Sequence, residues 1–508
     1  MKYFDPILSN GQAAAFERQW FERTGISELE VIASIGKKIS ESFIFEFPAF
    51  AKKRPCKVLA VLGSGHNAAD AMAFLESFAQ KAPLEISLLI DKEELLKPNT
   101  LHFYRELTRK YSARTIGADE ALKNDWDIAV EGISGMSYRP PMRDGMRRKI
   151  EIINGAKALL KISIDIPAGL SDWPETKQPV FIADITYATA IAKRCLFDVN
   201  NRKYCGRIRY IDAGFFCETD CPGGLKITKD NILQQLSIPR ASNTDKRHYG
   251  RLLIVSGSRK YAGAALLNAS AAIRSGCGFV FACVPEEYKG AFCAREPSVI
   301  WHECQSAPNG EIALENFGAL NALASGCDAL LCGSGLTDSA ESAALVSDLL
   351  KENPNLPCVL DADAVRPKIL QSLAGRRAPA IITPHEGEFL RIACDISDNS
   401  LMEAAKKYSC TIMLKSNLTR ICSGGEISYC AGGSPALARA GSGDILCALT
   451  AGLLANKTLF QGDADRPVKV CALAAQWLGK AAVKAGAEFS ESALATSDLI
   501  PFLPKALV

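Results

Sequence analysis

Twice along this chain, short apolar runs alternate with segments long enough to form helices. The first series extends from Val58 to about Gly214 through KVLAVLG, EISLLID, WDIAVEG, AKALLKISIDIP, ADITYATA and GRIRYIDAG. Runs apolar on both faces need cover from both sides, which a parallel sheet with crossover helices on each face supplies. A second series starts at YGRLLIVSGS and continues through GFVFACVP, CDALLCGSG, LPCVLDADA, PAIITPHEGEF, CTIMLKS and TRICSGGEISYC. It ends in long helical stretches from Asp444 onward. The expectation is α/β, with two doubly wound domains over residues 1–220 and 235–508. Between them, CETDCPGGLKITKDNILQQLSIPRASNTDKRH is rich in Gly, Pro and polar residues, which places a linker at about 215–245. A length of 508 residues agrees with two cores, because single cores stop growing near about 250 to 300 residues.

Charge and hydropathy exclude several function classes. A formal charge of +3 is small for this length and marks neither a nucleic-acid footprint nor an anionic membrane surface. No stretch reaches the roughly 18 apolar residues of a membrane span. The opening MKYFDPILSN carries Asp5 and Pro6 in place of a signal's apolar core. A cytoplasmic enzyme acting on small molecules is expected. The 18 cysteines stand singly in apolar runs. Cys217 and Cys221 come nearest to a zinc-ligand pair, but no second pair or histidine accompanies them, so buried free thiols are expected.

The stretch VLGSGHNAAD, Val61 to Asp70, has the G-x-G-x-x-A spacing of a dinucleotide-binding turn between a strand and a helix. Asp91, ending the next apolar run, stands roughly where a ribose-binding carboxylate would. Taken alone, this spacing is weak support for hydride transfer.

The strongest feature lies in the second half. In ARAGSGDILCALTAGLLA, Gly441 and Gly443 flank Ser442, and Asp444 opens an apolar helix. Unpaired N–H groups and the positive end of such a helix suit an anion, and an aspartate there is placed to take a proton from an attacking hydroxyl. An ordinary Asp N-cap is the plainer alternative. No G-x-x-x-x-G-K-[ST] run occurs, which excludes the ordinary P-loop route.

HYGRLLIVSGSRKYAGAALLNASAAIRSGCG, LLCGSGL, VLDADAV, ITPHEGEF and MLKSNLT precede that turn in order. Together they resemble the ribokinase-like fold, and more closely the ADP-dependent NAD(P)H-hydrate dehydratases of bifunctional nicotinamide-nucleotide repair proteins. The resemblance spans essentially all of residues 240–508. It implies that Ala264, Gly335, His385 and Asp444 face the hydrated nicotinamide cofactor. It further implies that Lys415, Ser416, Asn417, Leu418, Thr419 and Gly443 hold ADP or ATP with its Mg2+, and that Asp444 is catalytic. Ser334 and Glu386 stand where the family has proline, and Thr337, Ser416 and Ala440 where it has glycine. A turn histidine is the plainer alternative for His385, made less favoured by its place in TPHEGE. Asp361 and Asp363 either end a strand and cap a helix or serve a metal or phosphate.

The implied chemistry converts (S)-NAD(P)H hydrate to NAD(P)H while ADP becomes AMP and phosphate. Hydroxide is a poor leaving group, and phosphorylating the ring hydroxyl makes it a good one. Asp444 would take the proton, the glycine turn would stabilise the transferring phosphoryl group, and Lys415 would neutralise the ADP phosphates.

Beside that partner, GSGHNAAD resembles the G-x-G-N-N-G-G-D-G stretch of the NAD(P)H-hydrate epimerases, which are Rossmann-like three-layer sandwiches. DIAVEGISGMSYRPP, SIDIPAGLSDW and ADITYATAIAKR follow in the family's order. The resemblance implies substrate contacts at His66, Asn67, Ala68, Ala69, Asp70, Gly135 and Asp165, with Asp165 catalytic. It also implies a potassium ion held by Asn67 and by Glu131, which replaces an aspartate. Ala168 stands where the family's serine would be, and alanines at 68, 69 and 71 replace glycines, with strain expected wherever a positive φ is required. Asp70, Asp165 and Lys193 persist. A poor epimerase, surviving as a binding or assembly module in a homo-oligomer, is expected. A small-molecule kinase acting on a vitamin or sugar is the alternative, although such kinases lack the appended first half.

Overall fold

The computed structural model describes residues 3–52, 54–173, 178–216 and 224–507. The Cys217–Cys221 pair lies outside them. Contacts divide the chain into two compact units, Met1–Lys229 and Asp230–Val508.

In the first unit the strands are β1 (Phe4–Leu8), β2 (Cys56–Leu62), β3 (Leu84–Leu89), β4 (Arg114–Thr115), β5 (Asp125–Gly132), β6 (Lys157–Ile164), β7 (Ile185–Thr189), β8 (Ala192–Lys193), β9 (Arg207–Ile211) and β10 (Leu225–Thr228). Seven form a sheet in the order β4-β3-β2-β5-β6-β7-β9, and every pairing in it is parallel. The side-chain period of two divides β2 between two cores. Val58, Ala60 and Leu62 pack with the helices Glu28–Glu46 and His66–Ala79, whereas Leu59 and Val61 pack with Ile150 and Ile153 of the helix Asp144–Gly155. This is the expected three-layer sandwich. After β2 the chain moves toward β3, and after β5 it moves the other way toward β6. The crevice beyond the carboxyl ends of β2 and β5 is therefore the switch point at which such sheets bind ligands.

Five strands escaped the sequence reading, β1, β4, β8 and β10 here and Ile300–Cys304 in the second unit. β1 pairs antiparallel with β10 and parallel with β8, so part of the expected linker, Leu225–Thr228, is a strand. Four residues are too few for a period to stand out against a Gly- and Pro-rich background.

The second unit holds β11 (Arg251–Val255), β12 (Phe279–Pro285), β13 (Ile300–Cys304), β14 (Ala329–Cys332), β15 (Cys358–Leu360), β16 (Ala380–Ile382), β17 (Thr411–Leu414), β18 (Thr419–Ser423) and β19 (Glu426–Cys430). Their order is β13-β12-β11-β14-β15-β16-β17-β18-β19. The strands from β13 to β17 are parallel, and β17, β18 and β19 form an antiparallel edge. The helix Ser442–Ala455 is buried from Ile445 to its last residue, as a sequence apolar all round requires. It packs between the helices Ala262–Arg274 and Arg466–Phe489. The cysteines of the described residues are free thiols, most of them buried. Among the described residues, no helix is long and apolar enough to cross a membrane.

Candidate active site

In the second unit the carboxyl ends of β15, β16 and β17 deliver Asp361, His385 and Lys415 to the same edge of the sheet as the glycine turn. Asp361 is 2 % exposed. Its Oδ1 accepts hydrogen bonds from Lys415 Nζ and from Thr383 Oγ1, each at 2.7 Å, and its Oδ2 accepts one from Ser334 Oγ at 3.3 Å. Burial pulls the Lys415 ammonium down, but the Asp361 and Glu388 carboxylates outweigh it and hold the group above its ordinary value. Glu388 Oε2 lies 3.9 Å from the same nitrogen.

Gly441, with φ +91°, is the N-cap of the helix Ser442–Ala455. Asp444 is therefore the third helical residue, not the cap that the plainer reading assumed. The first-turn N–H groups have no intrahelical acceptor. A Cβ on Gly443 would stand 3.2 Å from Lys415 Nζ, so only glycine lets the ammonium come this close to the turn. Burial, followed by the charge of Asp361, pushes the Asp444 carboxyl up from 3.8 to about 6, against the hydrogen bond from Ser334 and the attraction of Lys415. A carboxylate titrating there is poised to act as a general base near neutral pH.

Ala264, in the first turn of the helix Ala262–Arg274, lies beside Gly335. A Cβ on Gly335, where φ is +69°, would fall 3.1 Å from the Ala264 methyl and 2.9 Å from the Tyr261 carbonyl. The segment Lys415–Thr419 forms the β17–β18 connection. Within it, Ser416 Oγ donates to the Leu418 carbonyl at 2.7 Å, Leu418 is buried, Asn417 is exposed and Thr419 begins β18.

His385 has a capping role. Its Nδ1 accepts from the N–H groups of Gly387 at 3.0 Å and Glu388 at 3.2 Å, and its Nε2 lies 3.3 Å from Glu388 Oε1. The ring stays more than half exposed, so its faces are open to a ligand while both nitrogens are engaged in the turn. Asp363 accepts the Thr337 N–H at 2.9 Å and braces that loop. Among the described residues no cluster of three His, Cys, Asp or Glu is arranged to hold a metal ion.

The sequence reading missed Asn268, which is fully buried and donates from Nδ2 to the Asp444 carbonyl at 2.8 Å. An asparagine in the otherwise small and apolar AALLNASAA was the available signal. Thr383 and Glu388 lie within motifs already singled out, yet which carboxylate or ammonium they would meet depended on strand order.

In the first unit, Gly135 follows β5, Asp165 follows β6 and Asn67 lies in the first turn of the helix His66–Ala79. A Cβ on Gly135 would stand 2.7 Å from Asp165 Oδ2 and 3.7 Å from the Asn67 Cβ, so this glycine lets the three groups converge. Asp165 adopts φ +67°, a strained conformation of the kind found at functional sites. Its Oδ1 pairs with Lys193, which also donates to the Thr189 carbonyl at 2.8 Å. Burial, with the charges of Asp165 and Glu17, holds Asp70 well above the usual carboxylate range. Glu17, unnoticed in the sequence, is itself raised, chiefly by burial. Both amide atoms of Asn67 are buried without a partner. His66 is half exposed, its Nε2 3.2 Å from Glu28 Oε2.

Three expectations for this unit need correction. Ala68, Ala69 and Ala71 are fully buried helical residues, and none has a positive φ. Their methyl groups pack in the core, and the N–H groups of Ala68 and Ala69 bond to the Gly65 carbonyl at 3.0 and 3.3 Å. These alanines carry no backbone strain, since a helix start supplies ordinary φ values. Glu131 also departs from a cation ligand. Its Oε1 accepts the Ile133 N–H at 2.6 Å, and its Oε2 accepts from Ser163 Oγ at 3.1 Å and from the Ala168 N–H at 3.3 Å. The longer side chain turns both oxygens onto donors, and burial pushes its carboxyl up to about 8. Asp91 is no free ribose ligand, because Lys149 Nζ binds its Oδ2 and the Leu62 carbonyl, each at 2.7 Å.

Comparison with known proteins joins the two sites. Residues 252–505 match the family described as NAD(P)H-hydrate dehydratase, and residues 19–195 match the YjeF-related protein N-terminus. The bifunctional NAD(P)H-hydrate repair enzyme Nnr of Thermosynechococcus vestitus is 30% identical over 474 residues, covering 89% of each chain. Its namesake from Gloeobacter violaceus is 29% identical over 493 residues, covering 92% of each. A solved ADP/ATP-dependent NAD(P)H-hydrate dehydratase from Bacillus subtilis is 24% identical with a TM-score of 0.43, covering 55% of this chain and 96% of its own. With both halves matched in order along one polypeptide, this chain belongs to the family of bifunctional NAD(P)H-hydrate repair enzymes.

Proposed function

We propose that the second unit dehydrates (S)-NAD(P)H hydrate to NAD(P)H, with ADP or ATP as phosphoryl donor. The observation that carries this reading is the Asp444 carboxyl, raised to about 6 at the positive end of a helix and beside the ammonium of Lys415. Asp444 takes the proton of the hydrate's ring hydroxyl, and the oxygen attacks the terminal phosphorus of the nucleotide. The first-turn N–H groups from Ser442 to Asp444 stabilise the charge on the transferring group, and Lys415 neutralises the remaining phosphates. AMP leaves when the donor is ADP. The lone pair of the ring nitrogen then expels phosphate and restores the dihydropyridine. Ala264, Gly335 and His385 line the hydrate's side, and Lys415–Thr419 with Gly443 line the nucleotide's side. Mg2+ enters as the counter-ion of the nucleotide phosphates.

The first unit is a poor or inactive epimerase that remains as a binding or assembly module, and the assembled protein is a homo-oligomer. A hard cation needs several oxygens turned toward one point. Glu131 has both oxygens turned onto protein donors, and Ala168 contributes an N–H in place of a hydroxyl. The residues present do not fit a potassium ion, and no step is assigned to one. Asn67, Asp165 and Lys193 remain as the groups that would hold a nicotinamide nucleotide.

The deciding experiment incubates the full chain with hydrated NADH and either ADP or ATP, and follows recovery of the NADH absorbance. Recovery that needs nucleotide supports the dehydratase. A nucleotide that neither drives recovery nor raises the melting temperature removes it. Supplying only the R epimer tests the first unit, and conversion as fast as that of the S epimer overturns its assignment.

A further inference from the structure

Gly333, Gly335 and Thr337, in the loop between β14 and the helix Ala340–Glu352, all have positive φ, at +126°, +69° and +72°. Glycine takes such values freely. A β-branched residue does so only where its surroundings hold it. Each of the three polar groups of Thr337 is engaged. Its N–H donates to Asp363 Oδ2 at 2.9 Å, its carbonyl accepts from Arg366 at 2.8 Å, and its hydroxyl donates to Glu311 Oε1.

Glu311 is 5 % exposed and stands in a turn after β13, where its carbonyl accepts the Ala307 N–H at 2.8 Å. Its Oε2 accepts from Ser339 and, at 3.3 Å, from Ser342, whose hydroxyl also lies 2.8 Å from the Leu336 carbonyl. Burial works to raise the Glu311 carboxyl, but these donors outweigh it and keep the group below its ordinary value. A carboxylate only accepts, so the hydroxyls of Thr337 and Ser339 turn their hydrogens toward it. In the same turn the Gly310 carbonyl accepts the Arg259 N–H at 2.7 Å, from the connection between β11 and the helix Ala262–Arg274. The turn thus grips both loops of the hydrate side, which meet at Gly335, where a Cβ would lie 3.1 Å from the Ala264 methyl.

We infer that Glu311 is a positioning residue for the hydrate. It holds Thr337 in the conformation that carries Gly335 against Ala264. Asp363 and Arg366 bind backbone atoms of Thr337 that any residue would offer, whereas the Glu311 bond depends on the threonine side chain. Glu311 acts through the loop, so it governs how the hydrate is held and leaves the proton and phosphoryl transfers to other groups.

The inference rests on Gly335 facing the hydrate, so its test has a kinetic arm and an arm without turnover, both on the full chain. Thr337→Ala keeps the β-carbon and loses the hydroxyl, whereas Thr337→Gly loses both and needs no hold. Alanine is expected to raise the half-saturating hydrate concentration about tenfold, and glycine to leave it within about twofold of the parent. Glu311→Leu fills the space without accepting a hydrogen bond. It should act as Thr337→Ala does, with the half-saturating ADP concentration unchanged, and adding Thr337→Gly to it should bring the hydrate value back. In the second arm, hydrogen exchange of the amides from Leu336 to Ser342 should quicken in Glu311→Leu and slow again in the double variant. Glycine as harmful as alanine, a double variant no better than Glu311→Leu, or exchange that ignores Glu311 overturns the inference. If Glu311→Leu does not fold, the two Thr337 variants decide alone. Exchange that follows the expected pattern in a chain that never dehydrates the hydrate keeps the anchor and removes the dehydratase reading.

Discussion

The ammonium of Lys415 lies 3.2 Å from the point where a β-carbon on Gly443 would begin. Gly443→Ala adds that carbon, and the flexible end of Lys415 must move away from the turn. The half-saturating ADP concentration is expected to rise about tenfold. The melting temperature should hold or increase, because alanine is favoured over glycine within a helix by about 1 kcal/mol. Steady-state kinetics beside thermal melting checks both, and unchanged ADP dependence would remove Lys415 from the nucleotide side.

Asp444→Asn keeps the size and much of the hydrogen bonding of the side chain but removes the base. Dehydration is expected to fall by about 10² to 10⁴, with nucleotide binding by calorimetry nearly unchanged. Near-normal turnover would reduce Asp444 to a residue of the helix start.

The pH dependence follows from the same group. Asp444 acts as a carboxylate with its midpoint at about 6, so the rate should rise through that pH and level off above it. For stability the sign is opposite. The folded value lies above the ordinary 3.8, so the folded state favours the neutral form and loses stability as pH climbs from 3.8 to about 6. Asp444→Asn should therefore melt above the wild type at pH 8, with the difference gone near pH 4. Melting curves across that range give the answer, and a variant less stable at pH 8 contradicts it.

His385→Ala removes both the cap of the helix Glu386–Phe389 and the ring beside the site. A lost cap costs about 0.5 to 2 kcal/mol. The half-saturating hydrate concentration should rise more than that of ADP, measured with the other substrate saturating. An effect on ADP alone would transfer His385 to the nucleotide.

In the first unit, Glu131→Asp combined with Ala168→Ser shortens the carboxylate and adds a hydroxyl. Conversion of the R epimer should increase at least tenfold and become dependent on potassium. If the double variant stays as slow as the parent, the impairment lies elsewhere than at Glu131 and Ala168.

Apolar periodicity and glycine spacing determined the two doubly wound α/β units, because runs buried on both faces leave a parallel sheet with helical cover as the stable solution. Six of the seven strands of the first sheet were legible in that way. β4, with two residues, and β1, β8 and β10, with five, two and four, were not, since so short a run carries no period. Motif order likewise pointed to Asp444, Lys415 and Gly443, because the chemistry of a turn and helix start is local. The partners of those residues were invisible. Ser334, Asp361, Thr383 and Lys415 are scattered over more than eighty positions, and only the order β14-β15-β16-β17 brings their ends together. The same holds for Glu131, whose extra methylene read as a weakened cation ligand. Tertiary packing turned its carboxyl onto the Ile133 and Ala168 N–H groups, because a buried polar group takes the nearest donors that the fold supplies.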